Sequence, residues 1–258
     1  MKWPNKVYPT ILQAFSSMKS PIQNLPPEAS LYPTPAPETR KYYGSFKYQA
    51  LKALLVGWGE DNFGVRAEID LLGQLLERVY GYEVEKWHIP SRDPFKALDR
   101  QVRASAEAIW EHPASLFILY YAGHARPSRG LGSFPRWSSK RFEAKEVDPR
   151  SAQLYLENAE CDVLFLHDCC HSIHAGGGGA TAGVKEALAA GGLETITAEV
   201  GEHSFTHLMI NELARAAEQG HAVSVSNFTT ACSWRSETIH HGSSKTIGAS
   251  LSLAATID

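Results

Sequence analysis

The sequence predicts an α/β protein with a mostly parallel central sheet of about six strands, flanked by helices on both faces. Three observations carry that expectation: apolar runs of strand length, amphipathic segments at spacings of three and four between them, and Gly, Pro or Asp at the junctions. The apolar runs are continuous rather than alternating, as they are in strands covered on both faces.

Residues 1–45 hold more than half of the chain's 14 prolines and show little hydrophobic period. They are expected to form a poorly ordered, Pro-rich leader ahead of one domain over 46–258. "LKALLVGW" (51–58) reads as the first buried strand, and Ile69, Leu72, Leu76 and Val79 then mark an amphipathic helix ending near Gly81. "YEVEKWHI" (82–89) follows as a strand, Phe95, Leu98, Val102 and Ile109 as a helix after Pro94, and "SLFILYYAG" (115–123) as a third strand. Residues 125–150 are polar and rich in Gly, Pro, Ser and Arg, so a long functional loop is expected there. A short helix near 151–159 leads into a fourth strand, "CDVLFLHD". After the glycine run 176–179, "LETITA" (193–198) is expected as the next strand. Phe205, Met209, Leu213 and Ala216 mark a helix, and "AVSVSNF" and "TIGASLSLA" are expected to be closing strands.

With 43% hydrophobic and 21% charged residues the chain suits a single large globular domain. Its formal net charge of −3 supplies no cationic excess for nucleic acid or an anionic membrane, so neither is expected as a partner. No segment reaches the roughly 20 apolar residues of a membrane span, and the N-terminus lacks the apolar stretch of a secretory signal. Four cysteines in this length make no disulfide framework. That favours a reduced, cytoplasmic protein, with the nucleus as a second address.

Chemistry concentrates where two apolar runs stop: the third strand in Gly123-His124, the fourth in Asp168-Cys169-Cys170-His171. Carboxyl ends of strands in an open parallel sheet share one edge, where ligands bind. A thiolate and an imidazole brought together there can perform acyl transfer from a peptide bond. Other readings stay open. A strand-end cysteine can be a small buried hydrophobe, as expected for Cys161 and Cys232. His167, Cys169, Cys170, His171 and His174 could also serve as zinc ligands, although alternation sends positions 167 and 168 to opposite faces. The four glycines lack the Gly-Lys-Ser/Thr of a phosphate-binding loop.

"FILYYAGHA" and "DVLFLHDCCHS" resemble the histidine and cysteine strands of caspase-like and metacaspase-like peptidases, with His124 46 positions before Cys170 where the family spaces them by about 50. The first strand with its helix, and "AAGGLETITAEVGEHSFTHLMINEL", are similar to caspase-domain proteins of filamentous fungi, so the resemblance spans roughly residues 48–232. It implies a caspase-like fold and a cysteine endopeptidase with Cys170 as nucleophile, His124 as its partner and Cys169 as a bystander. It also implies an oxyanion hole from the backbone N–H groups of Cys170 and Ala125. Asp168 and Glu68, the latter counted back from Tyr80-Gly81-Tyr82, stand where the family places two pocket acids, which implies cleavage of protein or peptide substrates after Arg or Lys. Programmed cell death is the implied setting. Calcium activation is implied by the resemblance only, since no EF-hand-like loop is present and no metal ligand is expected.

The sequence departs from the family in two places: His-Gly is His124-Ala125 here, and Cys-His-Ser-Gly is Cys170-His171-Ser172-Ile173. A left-handed backbone at Ala125 would cost about 1 kcal/mol or more for its Cβ. These departures leave a catalytically silent caspase fold, acting as an interaction module, as the alternative. Lys140, Arg141 and Lys185 are conceivable self-processing positions.

Overall fold

A computed structural model describes residues 48–61, 64–127, 135–140, 145–170, 183–190, 200–201, 204–219 and 253–254. Its elements in chain order are β1 (Ala50–Trp58), α1 (Arg66–Arg78), β2 (Glu83–Ile89), α2 (Pro94–Ala106), β3 (Ser115–Ala122), β4 (His124–Arg126), β5 (Arg136–Ser138), β6 (Glu146–Val147), α3 (Arg150–Glu157), β7 (Asp162–Asp168), β8 (Lys185–Ala189), α4 (Phe205–Gln219) and β9 (Leu253–Ala254). The main sheet runs β2-β1-β3-β7-β8-β9. All its pairs are parallel except β8 with β9. The expected α/β class and mostly parallel sheet of about six strands are therefore present.

Side-chain alternation explains the layering. Ala53 and Leu55 of β1, Ile118, Tyr120 and Ala122 of β3, and Leu166 of β7 pack under α1 and α4. Their sequence neighbours Leu54, Val56, Trp58, Phe117, Leu119, Tyr121, Val163 and Phe165 pack under α2 and α3. Each helix buries an apolar stripe, as with Ile69, Leu72 and Leu76 of α1. Among the described residues, no helix is long and apolar enough to cross a membrane.

Two expectations need correction. The strand after β7 is Lys185–Ala189, earlier than "LETITA", which lies outside the described residues together with "AVSVSNF". Lysine, glutamate and alanine have low strand propensity, but the parallel ladder to β7 and the N–H of Val163 donating to Val184 O hold this segment extended. The supposed long loop after His124 contains a small antiparallel sheet, β4-β5-β6, whose strands of two or three residues leave no readable period.

Candidate active site

The parallel ladder sets the site. Ala122 of β3 pairs with Asp168 of β7, and the next amide, Gly123, donates to Asp168 O at 3.2 Å. His124 and Cys170 thus each stand two residues past the last paired position of adjacent strands, at the same carboxyl rim. Gly123 turns the chain from β3 into β4 with φ of +147°. A Cβ there would lie 3.0 Å from the Tyr121 hydroxyl, so glycine is required by both backbone and space.

Beyond this turn, His124 enters β4, opposite Ser138, and is buried. The Tyr121 hydroxyl donates to the carbonyl of His124 at 2.7 Å and accepts from Trp58 Nε1 at 3.2 Å. The Tyr121 ring stacks on Trp137, centroids 3.9 Å apart and planes nearly parallel, and Trp137 pairs with Ala125 across β4 and β5. Burial pushes the Tyr121 hydroxyl far above its ordinary range, so it remains a donor. Among the described non-glycine residues, Asp93 alone has positive φ, so the strain anticipated at Ala125 is absent.

The cysteine doublet divides. Cys169 is fully buried in the core under α2 and α3, whereas Cys170, in the turn after β7, is half-buried. Cys161 is also fully buried, as expected. Cys232, His171, Ile173, His174 and the glycine run lie outside the described residues.

The two candidate pocket acids meet on the α1/α4 face. Glu68 is only 5% exposed although it lies in the first turn of its helix. Its Oε1 accepts from Ser204 Oγ at 2.6 Å and Gly201 N at 3.0 Å, while Oε2 has no hydrogen-bond partner among the described residues. Asp168 Oδ2 accepts from Thr206 Oγ1 at 2.5 Å and Thr206 N at 3.3 Å. Thr206 Oγ1, its proton committed to Asp168, receives the Tyr120 hydroxyl. Burial raises Glu68 to about 7, with the Asp168 charge adding to it against the opposing hydrogen bonds. Enclosure raises Asp168 to about 6, and the Thr206 bonds only partly offset it. Ser204 and Thr206 escaped the sequence reading, although a Ser just before the apolar start of α4 is a helix-start signal.

His167 faces the other side of the sheet, beside Trp137 and Phe165, with Gln153 Nε2 3.4 Å from its Nε2. Desolvation lowers it to about 4, so it stays neutral in the core. Among the described residues, no three His, Cys, Asp or Glu side chains group as metal ligands.

No family model and no curated protein matches the chain. Among solved structures it is similar to caspase-1 from Spodoptera frugiperda, with a TM-score of 0.48 and 10% identity, covering 83% of this chain and 89% of that chain.

Proposed function

We propose that the chain is a caspase-like cysteine endopeptidase that cleaves after Arg or Lys, with Cys170 as nucleophile and His124 as general acid and base. The observation that carries this reading is the pairing of Ala122 with Asp168, which starts the His124 and Cys170 segments from the same rim on adjacent strands. The contrast between a fully buried Cys169 and a half-buried Cys170 supports Cys170 as the reactive thiol.

In this mechanism the Cys170 thiolate attacks the scissile carbonyl, and the backbone N–H groups of Cys170 and Ala125 receive the oxyanion. His124 gives its proton to the leaving amine as the C–N bond breaks, leaving a thioester. Water then attacks the thioester and passes a proton to His124, and the acid departs as the thiol is restored. Glu68 and Asp168 form the P1 pocket. Two acids with no paired cation among the described residues favour a basic side chain and repel an acidic one.

The test is hydrolysis of a fluorogenic peptide with P1 Arg, compared with its P1 Asp counterpart. Cys170→Ala is expected to lower kcat/KM by at least about a thousandfold, as loss of a nucleophile does, and Cys169→Ala to keep most of the activity. Full activity in Cys170→Ala would refute the mechanism.

A further inference from the structure

Glu68 Oε2 is a buried carboxylate oxygen without a partner among the described residues, and such atoms are rare enough in folded proteins to need a physical reason. Among the described residues, the groups that act on it come from three elements besides α1: Asp168 from β7, the Tyr120 hydroxyl of β3, which points onward to Thr206, and the start of α4. The start of α4 and the turn before it supply Ser204, Thr206 and the Gly201 amide, all uncharged donors. Among the described residues, no Lys or Arg forms an ion pair with either carboxylate.

We infer that Glu68 and Asp168 hold one proton between them in the free protein and release it when the cationic end of a substrate side chain binds, so that recognition and proton release are one event. This rests on the reading of the pair as the P1 pocket and adds to it a coupling that the pocket's charge alone does not require. Two carboxylates close enough for the Asp168 charge to be felt at the buried Glu68, and with no ion-paired cation among the described residues, are more stable with one proton than with two negative charges. The donors around them are not enough to reverse this, since all of them serve Glu68 Oε1 and Asp168 Oδ2. A guanidinium or ammonium ion reverses it by supplying positive charge and a donor for Oε2. The O–H bond of the shared acid then breaks, its electron pair stays on oxygen, and the proton leaves to solvent. The raised positions of both acids put this exchange near neutral pH.

Benzamidine, an amidinium cation, is the probe, titrated calorimetrically into the full chain in two buffers of different ionisation enthalpy. About one proton is expected to be released per benzamidine bound at pH 6, falling towards zero at pH 8.5, with affinity rising up to about tenfold per pH unit across the lower part of that range. Glu68→Gln is expected to at least halve the release at pH 6, leaving only what Asp168, still near 6, contributes. Ser204→Ala, which strips a donor from the ionised form, is expected to move the midpoint of the affinity curve to higher pH. Benzamidine binding at pH 6 without proton release overturns the coupling and leaves the P1 reading standing. An unmoved midpoint in Ser204→Ala likewise overturns the coupling. Absence of binding from pH 6 to 8.5 overturns both.

Discussion

Burying a carboxyl group without a cation favours its protonated form, and at Glu68 this makes stability depend on pH with a definite sign. The group ionises near 4.5 in the unfolded chain and near 7 in the folded one. Between those values the unfolded state has lost a proton that the folded state keeps, so stability falls as pH rises, and above about 7 the penalty is complete. Glu68→Gln removes the titration. It is therefore expected to be more stable than the parent at pH 8, relative to pH 4, by on the order of 3 kcal/mol, read as a difference in urea midpoints at the two pH values. Asp168 acts in the same direction over a lower window. Lys185 presents the opposite sign of charge in another setting. Its ammonium ion donates to the carbonyls of Ala159, Cys161 and Gly183, which ties down the start of β8. Cleavage after Lys185 would need that strand to leave the sheet, so self-processing is better sought at Lys140, which is exposed.

The turn from β3 into β4 combines a backbone requirement with a hydrogen bond. The Tyr121 hydroxyl cannot yield easily to a Cβ at Gly123, because it is held by Trp58 on one side and by the His124 carbonyl on the other. Gly123→Ala is expected to cost roughly 1–3 kcal/mol, measured by urea unfolding, and to reduce peptide cleavage by displacing His124. Tyr121→Phe leaves the turn intact but takes the hydroxyl from both Trp58 Nε1 and the His124 carbonyl. Its expected cost is about 1–3 kcal/mol, with a fall in kcat rather than a rise in KM. The elements also show what could be read in advance. β1, β3 and β7 were legible because burial on both faces demands continuous apolar runs, and α1, α2 and α4 because a single buried stripe imposes a period. β8 was not, since its extension depends on a neighbouring ladder and on Lys185 satisfying three carbonyls rather than on its own residues. The β4-β5-β6 sheet was hidden for a related reason. Trp137 is fixed there by Tyr121, a partner distant in sequence that carries no local signal. At the candidate site, strand ends and resemblance single out His124, Cys170, Asp168 and Glu68 only as candidates, whereas Ser204 and Thr206 could not be tied to the acids without the packing of α4.

Across the whole molecule, the sheet separates the work of its two faces from that of its rim. The face under α2 and α3 is apolar through Leu54, Leu119, Val163 and Phe165, while the acids sit at the carboxyl rim toward α1 and α4. Stability and charge selection should therefore be separable by mutation. Leu119 is fully buried on a central strand with β1 on one side and β7 on the other, so truncation leaves a cavity that the sheet cannot easily close. Leu119→Ala is expected to lose about 2–5 kcal/mol, seen as a lower urea midpoint with an unchanged slope. Its preference for P1 Arg over P1 Asp should match the parent at temperatures where both are folded, because no charge near the acids has changed. Glu68→Gln should behave in the reverse way, holding or gaining stability at pH 8 while losing part of that preference. If Leu119→Ala altered the Arg-to-Asp ratio as much as Glu68→Gln does, the preference would have to arise from the packing of the whole sheet, and a pocket defined by two rim carboxylates would be the wrong account of it.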